Sequence, residues 1–186
     1  NRLRLEFGGG QRRHQTDPAR DLLFVRARGL QERRHRTSAL EAAALFEQIV
    51  ARDPGYAAAF AALARSLGGF SRLGPEIDAG AVLPKLGEAA REAIRLDPLL
   101  ADSQAALGLL HVRDRQWASA EAAFEQALKI DPSLPSVHIA LAQVDRNTGR
   151  ITESIQALRR VVALHPELDI ALLELAVSYE EAHDLS

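Results

Sequence analysis

The sequence has no cysteine and no methionine, and only 5 % of its residues are aromatic. Without cysteine there are no disulfides, no thiolate chemistry and no cysteine-based zinc site, and the redox compartment stays open. No apolar run approaches the ~20 residues that a membrane helix needs. No basic segment leads into an apolar one in the manner of a signal peptide, so a cytoplasmic location is the expectation. A start at Asn1 with no methionine anywhere reads as an excised or processed segment. The net charge of −2 gives no global field for nucleic acid, so no nucleic-acid partner is expected of this segment. The charge is uneven, however: residues 1–40 hold ten arginines against four acids.

What the sequence does have is apolar residues, 47 % of the total, rich in alanine and leucine. Both lose little entropy in a helix, and alanine lets helices approach closely. One ten-residue ending recurs: LFEQIVARDP (45–54), AAREAIRLDP (89–98), AFEQALKIDP (123–132) and ALRRVVALHP (157–166). The closing prolines are Pro54, Pro98, Pro132 and Pro166, at intervals of 44, 34 and 34 residues. A fixed period in that range marks an array of stacked units. Within residues 101–134, Leu107 and Leu110, then Phe124 and Leu128, stand at helical spacing, as do Leu141 and Val144, then Leu158, Val161 and Val162, one period later. Each unit therefore reads as helix, tight turn, helix, stop, with proline ending the second helix.

The pattern resembles the tetratricopeptide repeat, whose 34-residue period carries W-x2-L-G-x2-Y…A-x3-F…P. In 101–134, Leu107-Gly108, Ala120, Phe124 and Pro132 match, with His111 at the tyrosine position. In 135–168, Leu141-Ala142, Ser154, Leu158 and Pro166 take those places, with Asp145 at the tyrosine position. Leu63, Ala64, Leu86, Ala90 and Pro98 fit in 57–100, Ala42, Phe46 and Pro54 in 17–56, and Leu175, Ala176 and Tyr179 in 169–186. The resemblance implies an all-α, right-handed α-solenoid of about four and a half helical hairpins. The expected divisions are an irregular arm or short strand (1–16), repeat 1 (17–56), repeat 2 (57–100) with an insertion at 68–84, repeat 3 (101–134), repeat 4 (135–168) and a first or capping helix (169–186). Phe124 is expected to be a central knob.

Two parts depart from the repeat. The stretch GGFSRLGPEIDAGAVLP (68–84) reads as a tolerated turn insertion, as a helix starting early at Pro75 and bending at Pro84, or as a binding loop using Phe70 and Arg72. In residues 1–16, Leu3, Leu5 and Phe7 alternate with Arg4 and Glu6, and Asp17-Pro18 makes a good helix start. The stretch RLRL…RRHQTDPARDLLFVRARG also resembles the junction after a TolB-like domain in bacterial multidomain signalling proteins, which implies a larger parent with its catalytic or DNA-binding domain elsewhere.

Chemistry is hard to find. His111 and His138 could meet between neighbouring first helices, but no third metal ligand is evident, and packing histidines are the plainer reading. No serine, histidine and acid can be placed together, and Gly8-Gly9-Gly10 lacks the Lys-Ser/Thr of a phosphate loop. The chain is read as no enzyme, with no cofactor, metal or membrane. The basic stretch 26–36 has no interleaved aromatics for a nucleic acid and reads as a solvated or partner-facing helix.

What remains is a surface for a protein or peptide. The resemblance implies that first helices line a concave groove. The positions carried over are Arg26, Leu30, Arg33 and Arg34; Arg65; Ala105, Leu109, Val112 and Arg113; Ile139, Gln143, Arg146 and Asn147; Leu173 and Val177. The same family pattern gives Asp102 where the chaperone-carboxylate clamp of some relatives needs lysine, so that clamp is not expected. The alternatives are a rigid spacer, or a homodimer through Leu172, Leu175 and Tyr179 on the last helix.

Overall fold

The computed structural model describes residues 17–32, 36–70 and 79–184, and every regular element among them is a helix. The helices are α1 (Pro18–Glu32), α2 (Arg36–Arg52), α3 (Ala57–Phe70), α4 (Ala79–Leu96), α5 (Ala101–Arg113), α6 (Trp117–Ile130), α7 (Pro135–Asn147), α8 (Ile151–Leu164) and α9 (Asp169–Asp184). The expected arm at 1–16, with its alternating Leu3, Leu5 and Phe7, lies outside the described residues. The chain divides into two compact units, Asn1–Ser103 and Gln104–Ser186.

The recurring endings are helix stops. Helices α2, α4, α6 and α8 finish at Arg52, Leu96, Ile130 and Leu164, each directly before Asp53, Asp97, Asp131 or His165. That next residue still donates its N–H into the helix, to Ile49, Ala93, Ala127 and Val161 at 2.8–3.0 Å. The proline that follows offers no N–H to continue the ladder. In the three Asp-Pro copies a carboxylate oxygen then accepts the N–H two residues on: Gly55 at 3.2 Å, Leu99 at 3.0 Å and Ser133 at 3.0 Å. This side-chain turn holds the chain bent until the next helix starts. Asp131 also accepts the Ser133 hydroxyl, and the two bonds hold its carboxyl below the usual aspartate range.

In Asn1–Ser103, Asp17 caps α1 by accepting the Ala19 N–H at 3.0 Å and the Arg20 N–H at 3.3 Å, with Pro18 as first helical residue. Phe46 and Ile49 of α2 are fully buried. Phe24 of α1 meets Phe46 edge-on at 5.6 Å and Tyr56 at 5.1 Å between ring centres. Arg20, 7 % exposed, lies 4.7 Å over the Tyr56 ring and pairs with Asp53 at 2.6 Å and Asp21 at 2.8 Å. The first stop is thus tied to the first helix. In α3 and α4 the buried faces are Leu63, Leu67, Leu86, Ala90 and Ala93. Helix α4 begins at Ala79 and carries Pro84 within it, so the end of the inserted stretch is helical; residues 71–78, Arg72 and Pro75 among them, lie outside the described residues.

In Gln104–Ser186 one cluster joins Ala120, Phe124 and Ala127 of α6 to Val137, Ala140 and Val144 of α7, with Leu109, Val112 and Trp117 against it. Phe124 is 1 % exposed. A second cluster joins Ile139 and Ala142 of α7 to Leu158 and Val161 of α8 and Ala171 of α9.

The turns inside the two hairpins of this unit are built alike. Gln116 N–H donates to the His111 carbonyl at 2.9 Å, and Arg150 N–H to the Asp145 carbonyl at 2.8 Å. The side chains of the same residues also pair: His111 Nδ1 with Gln116 Oε1 at 2.7 Å, and Arg150 Nε donating to Asp145 at 2.8 Å. The two residues standing at the family's tyrosine position therefore close the turn with polar bonds. Each turn also needs one left-handed residue, Arg115 at φ 55° and Gly149 at φ 83°. Glycine adopts that conformation without the clash that a Cβ brings. Arg115→Gly is accordingly expected to stabilise the chain, and Gly149→Ala to destabilise it, each by roughly 1 kcal/mol. Paired urea melts check this, and equal signs for the two variants would refute it.

Candidate functional site

In Asn1–Ser103 the first helices of the hairpins bring together a polar network that crosses from α1 to α3 and α5. Gln31 Nε2 donates to the Ala62 carbonyl at 2.8 Å and the Ser66 hydroxyl at 2.6 Å. Its Oε1 accepts from Arg65 Nη2 at 2.6 Å. Arg65, fixed in this way, stands 3.7 Å from the Asp102 carboxylate, and Arg28 stands 3.9 Å from the other oxygen of the same group. Both ion contacts are long. The three side chains are 29–38 % exposed, so solvent reaches them. Two guanidinium groups thus face one carboxylate.

Of the residues expected here from sequence, Arg65 is in the network, Arg26 is exposed, Leu30 is half-buried, and Arg33 and Arg34 lie outside the described residues. Arg28 and Gln31 were not among them. Their signal was the spacing: Arg28 and Gln31 stand at i and i+3, one helical face, a register shift of two residues from Arg26.

In Gln104–Ser186 the carried-over positions fall into three groups. Leu173 of α9 is 59 % exposed and Asn147 is exposed, while Val177 is half-buried. Ala105, Leu109 and Val112 of α5 are half-buried and pack against the Phe124 cluster, and Arg113 pairs with its neighbour Asp114 at 2.7 Å. Ile139 and Gln143 are buried at 5 % and 8 % exposure, Ile139 within the second cluster. Asn147 Nδ2 donates to the Gln143 carbonyl at 2.7 Å. Arg146 reaches from α7 to α9, where its Nη2 lies 3.1 Å from Glu174 and its Nε 3.7 Å from Glu181. Glu174 is only 6 % exposed, and Arg146 Nη1 is buried with no acceptor among the described residues. Of the trio considered for self-association, Leu172 and Tyr179 are 44 % and 47 % exposed, while Leu175 is half-buried against the second cluster.

His111 and His138 each have a hydrogen-bond partner near them in sequence. His111 bonds Gln116, and His138 Nε2 donates to the Pro132 carbonyl at 3.0 Å. Among the described residues no three histidine or acidic side chains are grouped to hold a metal, and no helix is long and apolar enough to cross a membrane.

Comparison with known proteins agrees with this architecture. The family model described as Tetratricopeptide repeat matches residues 111–178. No curated protein matches the sequence. Among solved structures, TTC0263, a thermophilic tetratricopeptide-repeat protein of Thermus thermophilus, is 21 % identical with a TM-score of 0.64, over 86 % of this chain and 81 % of that one. PilF of Pseudomonas aeruginosa is 18 % identical with a TM-score of 0.58, over 89 % of this chain and 70 % of that one. The human IFIT1 dimer, solved with m7Gppp-AAAA, is 21 % identical with a TM-score of 0.69, over 87 % of this chain but 35 % of that one. At these identities the likeness is one of fold.

Proposed function

We propose that this chain is a protein–protein interaction scaffold, the faces of whose first helices hold a peptide or partner helix; the tetratricopeptide-repeat match over residues 111–178 and the likeness of fold to TTC0263 support the reading. The observation that carries the reading is the Arg28–Asp102–Arg65 locus. Arg65 is already immobilised by Gln31, so it loses little side-chain entropy when a guest binds. Its contact with Asp102 is long enough to yield to a better-placed carboxylate. Guanidinium groups favour planar, bidentate carboxylate partners. The guest is therefore a segment with apolar anchors and an acidic end, the acidic end meeting Arg65 and Arg28. Gln104–Ser186, taken by itself, offers a separate contact surface, with the exposed Leu173 and half-buried Val177 for apolar contact and the exposed Asn147 for polar contact. Ile139 is left out of the contact set because it is core. The scaffold role asks for no catalytic group from this chain.

The test uses a synthetic peptide array of leucine-anchored segments ending in glutamates, with lysine-ended copies as control. Arg65→Glu with Arg28→Glu should weaken capture of the acid-ended peptides by at least about tenfold, a change of ~1.4 kcal/mol. Equal capture of acid-ended and lysine-ended peptides, or capture unchanged in the variant, would refute the reading.

A further inference from the structure

We propose that this chain self-associates through two different faces, the exposed face of α9 in one copy docking on the exposed face of α1 in another. Helix α1 leaves a stripe open to solvent: Leu22 is 71 % exposed and Val25 68 %, with Arg26 beside them. Gly29, one turn on, is exposed, and a Cβ built there would meet nothing within 4 Å. Leu22, Val25 and Gly29 stand at i, i+3 and i+7, which is one helix face. Large apolar residues beside an uncovered glycine make a surface that another helix can approach closely. Helix α9 offers the counterpart: Leu172, Leu173 and Tyr179 are 44 %, 59 % and 47 % exposed, and the exposed Ala176 stands between them.

Charge decides which surface covers which. Residues 169–186 hold five acids and no lysine or arginine. Glu180, Glu181 and Asp184 are exposed at the C-terminal end of α9. Two copies meeting α9 to α9 would set these like charges within one interface, at a cost that opposes the symmetric pairing considered from sequence. Residues 1–40, in contrast, hold ten arginines against four acids. On α1 itself Asp21 is engaged by Arg20 and Asp17 by the helix N-terminus, while Arg26 is exposed beside the stripe and Arg28 is 38 % exposed. Docking the two helices in the same direction with Leu173 opposite Leu22 places Glu180 and Glu181 opposite positions 29 and 30, about one turn beyond Arg26 and within reach of its long side chain. Since the two faces differ, each copy keeps one face open, and association runs on or closes into a ring. Helices α1 and α9 are also first helices and Leu173 is among the proposed guest contacts, so self-association is read with no guest peptide present.

The absence of native cysteine makes the test direct. Chains carrying Val25→Cys and Leu173→Cys are prepared separately, then treated with a short bis-maleimide alone and mixed. The mixture should give a covalent heterodimer at several times the yield of either variant alone. Leu173→Cys linking to itself as readily as to Val25→Cys would overturn the proposal in favour of a symmetric pair. No linkage in any combination, with the wild-type chain monomeric by sedimentation at high concentration and low salt, would overturn it outright. As a second arm, Glu180→Lys with Glu181→Lys should weaken self-association by about tenfold and Arg26→Glu chains should restore it on mixing, whereas loss without rescue counts against this pairing.

Discussion

Phe124→Ala is expected to lower the unfolding free energy by roughly 3–5 kcal/mol. The ring is 1 % exposed and lies among Ala120, Ala127, Val137, Ala140 and Val144, most of them too small to close the space it would leave. It is also seated on Gly108. A Cβ at that glycine would fall 2.4 Å from Cε1, 2.5 Å from Cδ1 and 2.8 Å from Cζ of the ring. Gly108→Ala is therefore expected to cost about 1–3 kcal/mol through overpacking, despite alanine's better helix propensity. The two changes are coupled: Gly108→Ala combined with Phe124→Leu should cost less than the sum of the two, because the shorter side chain gives the new methyl room. The single tryptophan, Trp117, packs against this cluster, so its fluorescence in urea reports on the right unit. A loss below about 1 kcal/mol for Phe124→Ala would mean that the ring is no core knob.

The seating of Phe124 on Gly108 belongs to the part of this molecule that sequence reveals well, since both residues match the repeat pattern. Helix ends were legible because proline and the carboxylate before it act locally: Asp131 and Pro132 stop α6 whatever surrounds them. The buried stripes of α6 and α8 were legible because their period is regular, as with Ala120, Phe124 and Ala127. Exposure on the first helices was harder to read. Ile139, Gln143 and Arg146 share a face of α7, yet Ile139 is buried and Asn147 exposed, because both α8 and α9 lie against α7. That outcome depends on how three helices meet, which no period encodes. His111 and Asp145 looked like departures from the family's tyrosine. Their partners, Gln116 and Arg150, stand five residues on in both hairpins, a spacing that was present in the sequence but carries no meaning until the turn is closed. Pro84 reads as a bend or a boundary, and α4 runs through it. Glu174 stands among apolar residues in DIALLELAVSY, where an acid reads as solvent-facing; the arrival of Arg146 from α7 helps make its burial tolerable.

Glu174→Leu is expected to cost about 3 kcal/mol, the lower end for breaking a buried pair. The acid is 6 % exposed, and the Arg146 side chain that meets it at 3.1 Å is 14 % exposed. Removing the acid leaves the guanidinium with Glu181, which is more distant at 3.7 Å and 46 % exposed, so water screens what it can offer. Arg146 Nη1 already lies buried without an acceptor among the described residues, and its neighbour would then lose one as well. Replacing both partners, Arg146→Leu with Glu174→Leu, should recover most of the loss or exceed the wild type, because neither charge then has to be held away from water. Urea melts of the two single variants and the double variant, followed by Trp117, give the coupling energy directly. The contribution should also persist at high salt, since burial limits screening, in contrast to the exposed Lys85–Glu47 pair at 2.7 Å. A double variant as unstable as Glu174→Leu alone would show that the carboxylate supports α9 through other contacts. A double variant at least as stable as the wild type would mean that the pair is kept for something besides stability, and Arg146 stands on the helix face proposed to meet a guest.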